Sequence, residues 1–555
     1  MNKIKQFIID KKEIMITFFV VFLVLMIPYF NSKILIGADY EYHFTRIYTI
    51  TEALEEGIFP VKIHPSMANG YGYGTGFFYP NFFLYIPAIL GLLGVEFILA
   101  YKIFVAIFVI LIFVFTYISF KSMLEEKNEA LIGTAIYMLS NCLTLHLYQR
   151  AAIGEFVGLA FIPLVIAGMH DYIYKDFKKP YLIVLGFFGI INSHLISAFL
   201  CAIYAVIVFL VNIKVSIKNK KNFIKLVLCA ILVAMITSCF WMPMLEQMLR
   251  AEYKYKISWI KVEETKFGIF DLFGLGNNCF GLLITICIPL IIYGLWDKST
   301  SKDIKKYILE VLILVVIMIS PWFWNITKFI FGKIQFKWRL LNITTAIISV
   351  VIAKLLNTYS NKFKIKINIK LVLVIILILL TLFYFCQNQS FNIVNNQVAI
   401  DHINSLWWSL GGGTEYLPLE LNVASLAFPN CVLGENFEKI PYVRENGVLE
   451  FKKTNPNENI VNPPFVYYYG YVADITDEAG VTYPLEVRKS DKALVEVITE
   501  GKTGTVRVWY NGTKIQKISY LITILGIGVI IILGVYNFVK KLKIKDLSLK
   551  IKNKK

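Results

Sequence analysis

Ile14-Met-Ile-Thr-Phe-Phe-Val-Val-Phe-Leu-Val-Leu-Met-Ile-Pro-Tyr-Phe-Asn31 and, shortly after it, Gly37-Ala-Asp-Tyr-Glu-Tyr-His-Phe-Thr-Arg46 decide how this chain reads. The first run is long and apolar enough for a bilayer, whose hydrocarbon core takes about 20 residues of helix. In the second, a helix starting near Asp39 puts Asp39, His43 and Arg46 at i, i+4 and i+7, on one face. A carboxylate, an imidazole and a guanidinium then sit together at a membrane surface. That set suits proton transfer and phosphate binding better than packing.

The rest of the chain agrees with a membrane setting. It has 555 residues, 57% of them hydrophobic and 17% charged, with mean hydropathy +0.62. Apolar runs recur at 14–31, 97–119, 130–147, 155–174, 180–192, 195–213, 224–249, 279–296, 308–327, 338–357, 370–386 and 516–539, about twelve spans on length and hydropathy. The run 180–192 is short for a bilayer and reads as a broken or re-entrant helix, as does 79–94. The expected fold is therefore an α-helical polytopic membrane protein.

A net charge of +18 invites a nucleic-acid reading, but its distribution excludes that class. Lysines cluster at Lys3–Lys12, Lys121–Lys127, Lys175–Lys179, Lys214–Lys225, Lys298–Lys306, Lys362–Lys370 and Lys540–Lys555, so that every second loop is basic. The positive-inside rule then puts both termini in the cytoplasm of a plasma-membrane protein, with anionic lipid as a partner of the basic loops. The first span reads as a retained anchor, since no small-residue cleavage site follows it. The cysteines are scattered, with no C-x-x-C pair and no disulfide framework.

Alternation from a cytoplasmic N-terminus leaves 32–80, 148–154, 193–194, 250–278, 328–337 and 387–515 outside. The expected division is a transmembrane core at 1–386 with 32–80 as its first outer loop, an extracytoplasmic β-rich domain at 387–515, a last span at 516–539 and a basic tail at 540–555. Within 387–515, alternating runs at 464–472, 483–488, 493–499 and 505–510 read as antiparallel strands.

The outer side collects Asp39, His43, Arg46, His64, Arg150, Glu155, His194, Lys337 and Arg339. Each also has a plain reading. Asp39 suits an N-cap. His43 reads as a surface histidine. Arg150 and Glu155 fall where helix dipoles favour a cation and an anion. Arg339 suits a headgroup contact. The stretch Gly70-Tyr-Gly-Tyr-Gly-Thr-Gly-Phe-Phe-Tyr-Pro-Asn81 puts Tyr71 and Tyr73 between glycines, which permit tight turns and close backbone approach. It fits a sugar- or lipid-binding surface and equally an interfacial aromatic belt.

Asp39-x-x-x-His43-x-x-Arg46-Ile47, Gly57-x-Phe-Pro60, Asn69-Gly-Tyr-Gly-Tyr-Gly74, Phe78-Tyr-Pro80, Arg150-Ala-Ala-x-Gly-Glu155, Gln335-Phe-x-Trp-Arg339 and Glu415-Tyr-Leu-Pro418 resemble the bacterial membrane proteins labelled 6-pyruvoyl-tetrahydropterin synthase-related. Pterin synthases themselves are small zinc enzymes, and this chain has no soluble histidine cluster for the metal. The architecture is similar instead to GT-C glycosyltransferases, which carry an essential acidic residue in the first outer loop and use polyprenyl-phosphate-linked sugars. The resemblance implies a GT-C-like core. Lys337 stands where those relatives usually have proline, which implies an added cation and a looser loop.

The chemistry implied is glycosyl transfer. A departing phosphate needs charge stabilisation, and an acceptor hydroxyl needs a base. The resemblance thus casts Asp39 as base and His43 as its orienter or a phosphate contact, the two catalytic candidates. Arg46, Arg150, Glu155, His194, Arg339, Tyr71 and Tyr73 are the substrate-binding candidates, with Arg150 and Arg339 as phosphate clamps. A metal ligand set is unknown, though a divalent cation is compatible. The implied partners are a polyprenyl-phosphate sugar and an envelope glycan or polymer acceptor. Two other readings stand beside this one: a flippase for a lipid-linked saccharide, and a non-catalytic envelope-assembly protein.

The alternation of basic loops generates a test. Single cysteines at positions 220 and 445, in a cysteine-free background, are treated in intact cells with an impermeant thiol reagent. Labelling is expected at 445 and not at 220; the reverse pattern overturns the topology.

Overall fold

The apolar runs fold as helices, though several are broken by proline or by a change of direction. The computed structural model describes residues 2–30, 34–257, 260–273, 278–364, 392–394, 413–427 and 431–552. Among these, five stretches are long and apolar enough to cross a membrane: Lys12–Tyr29, Phe97–Leu124, Ile153–Tyr174, Lys337–Lys362 and Lys514–Lys540. Three more crossings arise if each bent pair is one span: Lys127–Met138 with Asn141–Gln149 (41°), Lys220–Ile236 with Ser238–Arg250 (71°), and Lys302–Ile319 with Pro321–Ile334 (87°). The set is consistent with a multi-pass membrane protein.

Against the expectation of about twelve spans, the described residues give five to eight by length and composition, with three shorter apolar helices beside them. The sharpest bend is at Ser320-Pro321. Proline has no N–H to continue a helix, but is well suited to start one. The Ser320 side chain accepts from the Phe323 N–H and caps the new helix. The run 279–296 divides into Leu282–Ile286 and Ile288–Trp296, again with proline at the start of the second helix. The runs at 180–192 and 79–94 yield the short helices Tyr181–Ile191 and Phe82–Leu92, as expected, and 195–213 yields Leu195–Val211. The run 370–386 lies outside the described residues.

The β structure lies near the C-terminus, apart from one strand. β1 (Ile34–Ile36) pairs antiparallel with β2 (Asn392–Val394), and β3 (Val432–Leu433) with β4 (Lys439–Ile440). Seven further strands are β5 (Tyr442–Glu445), β6 (Val448–Lys453), β7 (Ile460–Val461), β8 (Tyr471–Thr476), β9 (Thr482–Lys489), β10 (Val495–Ile498) and β11 (Gly504–Tyr510). They form one antiparallel sheet in the order β5-β6-β11-β8-β9-β10-β7. Period-2 alternation drives its core: Tyr471, Ala473 and Ile475 of β8 are buried, as are Val506 and Val508 of β11.

One expected strand does not form as read. Of the run 464–472 only Tyr471 and Val472 enter β8. Pro463 and Pro464 cannot donate ladder hydrogen bonds, and the Val466 N–H goes instead to the Tyr71 carbonyl (2.9 Å). This segment therefore packs on the loop 57–81.

The contact forms an aromatic seam between the helical part and the sheet. Tyr73, Tyr253 and Tyr468 have no exposed surface. Phe78 stacks on Tyr416 at 5.2 Å and 5°, and Tyr253 on Tyr468 at 6.1 Å and 8°. Such rings bury roughly 150–250 Å² each. Gly74 lets the chain approach: a Cβ there would lie 2.5 Å from the Tyr468 ring, whereas one at Gly528 would meet nothing within 4 Å. Gly74→Ala is therefore expected to cost about 1–3 kcal/mol by overpacking, seen as a lower unfolding temperature of the purified protein. Gly528→Ala, the control, should leave that temperature unchanged or slightly raised.

Candidate functional site

The site is organised around a buried carboxylate. Glu155 lies in the first turn of the helix Ile153–Gly158, where a helix N-terminus favours an anion. Its side chain is 2% exposed, and Arg150 Nη1 and Arg339 Nε each approach it at 2.5 Å. His146 Nδ1 is 3.1 Å away and His194 Nε2 3.8 Å away. A carboxylate out of water is tolerated only when so compensated.

Arg150 carries the chain of charges outward. Its Nη2 lies 2.5 Å from Asp39 Oδ2, and its guanidinium is 4.9 Å from the centre of the Trp338 ring. The residues before it, Leu145–Gln149, form a π-helical turn, a form common at functional sites. Ala151 then takes φ +47°, an unusual angle for a residue with a Cβ.

The backbone of 37–39 is fastened to this turn. Ala38 N–H donates to Gln149 O (3.1 Å), and Asp39 N–H to Arg150 O (2.7 Å). A Cβ on Gly37 would lie 2.4 Å from the Arg150 carbonyl carbon, so glycine is required for the approach. Asp39 occupies the N-cap position of Tyr40–Glu55 but makes no side-chain capping bond. The plain capping role thus fails; its carboxylate is committed to Arg150. Burial raises its pKa above the usual carboxylate value, outweighing Arg150, which lowers it.

Arg339 sits in the turn Lys337–Leu340, just before the helix Leu341–Lys362. Its Nη1 donates to Ile334 O (2.5 Å) and Gln335 Oε1 (2.8 Å), and no hydrogen bond engages Nη2 among the described residues. Phe336 lies 5.2 Å from its guanidinium. The expected loosening at Lys337 does not occur: its ammonium donates to Thr265 O (2.6 Å) and ties the turn down.

The other expected residues take different places. His43 is buried among the rings of Tyr42 and Tyr79. Burial, reinforced by Arg46, holds its pKa well below the ordinary imidazole value, so it is neutral. No hydrogen bond joins His43 to the Asp39 carboxylate; Arg150 is what orients Asp39. His194 caps Leu195–Val211, its Nδ1 accepting from the Ser197 N–H at 3.2 Å. Burial lowers its pKa to about 3, so a neutral ring faces Glu155. Arg46 is fully buried, with Nη2 on Pro80 O and Asn81 Oδ1, both at 2.7 Å, and its guanidinium 4.3 Å from the Tyr79 ring. It holds the segment 79–81 in place. Tyr71 and Tyr73 belong to the aromatic seam, and Tyr73 Oη accepts from the Tyr416 N–H at 3.1 Å.

The sequence reading did not select His146, Tyr79 or Glu415 for the site. His146 stands four residues before Arg150 on the same turn, a spacing that held the signal. Tyr79 fills the space between Arg46, His43 and His194. Glu415 comes from the C-terminal part. Burial raises its pKa, helped by the negative charge of Asp39. Among the described residues, no group of three His, Cys, Asp or Glu side chains is arranged to hold a metal ion.

A family model described as a family of unknown function, DUF6541, matches residues 14–261. That stretch contains Asp39, His43, Arg46, His146, Arg150, Glu155 and His194; Arg339 with its neighbours Phe336 to Trp338, and Glu415, lie beyond it. An uncharacterized protein of Lactococcus lactis subsp. cremoris (strain MG1363) is 23% identical over 327 residues, 53% of this chain and 52% of the relative. The match thus spans about half the length of that relative. Neither description names an activity.

The graded burial predicts unequal consequences. Asp39 is 36% exposed on its side chain and Glu155 2%. Glu155→Gln leaves two buried arginines short of charge and should cost about 3–5 kcal/mol. Asp39→Asn should cost about 1 kcal/mol or less, as for an exposed pair. Thermal unfolding of both purified variants checks this; equal losses would contradict the arrangement.

Proposed function

We propose that this chain is a membrane-embedded transferase that moves a sugar from a polyprenyl-phosphate donor to an outer cell-envelope acceptor, with Asp39 as base. One observation carries the reading: a single chain of ion pairs runs from a buried end to an accessible one. Glu155, buried, pairs with Arg150 and Arg339, and Asp39 ends the chain on Arg150 with over a third of its side chain exposed. Charges placed for stability alone do not need that gradient.

The step follows from the groups available. An acceptor oxygen attacks the anomeric carbon while Asp39 takes its proton. The bond from that carbon to the phosphate oxygen breaks, and the phosphate leaves with the electron pair. Arg339 Nη2, without a hydrogen-bond partner among the described residues, and the Arg150 guanidinium receive the added charge. A single displacement of this kind inverts the anomeric centre, unlike the two-step route through a second carboxylate. His43, neutral and beside the site, serves as a contact to hydroxyl or phosphate. The non-catalytic reading is disfavoured because Asp39, Arg150 and Arg339 share one chain of contacts instead of lying scattered.

The pH dependence has a definite sign. The base form of Asp39 is the deprotonated one, and burial raises its pKa above the ordinary carboxylate value. Transfer should therefore rise with pH through a pKa above that of an ordinary carboxylate. The test is incubation of the purified protein with a panel of polyprenyl-phosphate sugars and envelope acceptors, followed by mass spectrometry. Asp39→Asn should lower the rate by about 10²–10⁴ while the protein stays folded. Arg339→Lys should also be impaired, because lysine lacks the forked contact. Full activity in Asp39→Asn would remove Asp39 from the role of base.

A further inference from the structure

A second cavity lies away from the Asp39 group, where the first outer loop, the sheet and the last helix meet. Its volume is about 320 Å³. Its lining combines three kinds of group. Phe59, Phe465, Trp509 and Tyr520 supply aromatic faces; Asn446, Asn511 and Gln516 supply amides; Lys62, Arg444 and Lys517 supply positive charge. No aspartate or glutamate lines it. The geometry points to a binding site for a saccharide that carries a phosphate.

The walls are built before any ligand arrives. Gln516 Nε2 donates to Tyr520 Oη (2.6 Å), and Gln516 Oε1 accepts from Tyr510 Oη (2.8 Å). Arg444 lies 5.0 Å from the Phe465 ring centre and donates from Nη1 to Gly70 O (2.7 Å). Lys62 is buried, with Nζ on Cys239 O (2.9 Å). Lys517 is exposed at the rim, in the opening turns of the stretch Lys514–Lys540. Opposite it stands Phe59, 71% exposed.

Each part matches a feature of such a ligand. Flat aromatic faces accept the apolar side of a sugar ring, the amides of Asn446 and Asn511 both donate to and accept from hydroxyls, and the Arg444 and Lys517 cations bind phosphate through charge-assisted hydrogen bonds. A concave, mostly apolar site with a few placed polar groups is the usual form of a small-molecule pocket. A lipid headgroup would be served by the basic first turn of the last helix alone, without an amide-lined cavity. The site is independent of the transfer reaction proposed for Asp39; it takes its ligand whether or not that reaction occurs.

The full chain, in discs of pure phosphatidylcholine, is titrated with galactose 1-phosphate, galactose and inorganic phosphate, following Trp fluorescence and saturation-transfer NMR. Galactose 1-phosphate is expected to bind at least fivefold more tightly than either of the others. Lys517→Gln should weaken it at least fivefold while leaving galactose unchanged, and Trp509→Leu should weaken both sugars. Asp39→Asn should change neither, which separates this site from the first. Three results overturn the proposal: no saturable binding, equal affinity for inorganic phosphate, or loss of sugar-phosphate binding when half the lipid is phosphatidylglycerol. The last would assign the cavity to a headgroup. Normal unfolding temperatures for both variants are required with the binding data; if Trp509→Leu unfolds, Lys517→Gln, on an exposed side chain, decides the matter alone.

Discussion

The buried carboxylate of Glu155 is the constraint on which the helical part depends. An ionised carboxyl away from water needs neutralising partners and hydrogen bonds, or its burial costs several kcal/mol. Those partners come from two places in the chain: Arg150 from the turn just before it, Arg339 from a turn 184 residues further on. Their delivery explains several local irregularities. Ala151 turns back at φ +47° so that Arg150 and Glu155 face one another, and Gln335 takes φ +67° where the chain enters the turn holding Arg339. A Cβ on Gly154 would lie 2.1 Å from Tyr79 Oη, so the first turn of the Glu155 helix can approach the outer loop only as glycine.

Arg46 and Arg150 show why charge alone does not identify a site. Both come from the same outer-side set, both are largely buried, and both lie over aromatic rings. Arg46 gives its hydrogen bonds to main-chain carbonyls and to Asn81, and Asn81 in turn donates to Val61 O at 3.0 Å. His64, which Asn81 also contacts at 3.1 Å, reaches Thr49 at 2.8 Å. This network fixes a loop, and it touches the site where Arg46 Nη1 lies 3.5 Å from His43 Nδ1. Arg150 gives its bonds to two carboxylates, one of them accessible. What separates structure from chemistry is the partner, and the partner lies 111 residues away in sequence.

Much of this was legible in the residues. The i, i+4, i+7 spacing marked Asp39, His43 and Arg46, and the helix Tyr40–Glu55 forms there. Arg150, Glu155 and Arg339 were selected from topology and do converge. Strands β9, β10 and β11 follow their alternating runs. Other features were not legible, for physical reasons. The run 308–327 reads as one span on length and hydropathy, and the break signal of Pro321 within it passed unused. The run 464–472 alternates like a strand, but its prolines and its contact with Tyr71 take it elsewhere. Asn446-Gly447, the two-residue turn joining β5 to β6, is a strong hairpin signal that passed unused. Trp407 and Trp408, which also attract a sugar-stacking reading, lie outside the described residues.

The loop 57–81 joins the two polar places of the molecule. Phe59 and Lys62 line the second cavity, and the Gly70 carbonyl receives Arg444 from the sheet. Further along, Gly74 lies against Tyr468, and Tyr79 reaches the Arg46–His43–His194 group. The segment between them is packed on both sides, with Tyr73, Phe77 and Phe78 buried. Close-packed interiors transmit displacement instead of absorbing it. The loop is one of the routes by which the sheet touches the helices, beside Gln247 Nε2 on Tyr469 O (2.7 Å) and the packing of the last helix on Ser238–Arg250, and its far end bears on the rings around His43. The C-terminal part also brings a carboxylate near the site: Glu415 feels the negative charge of Asp39.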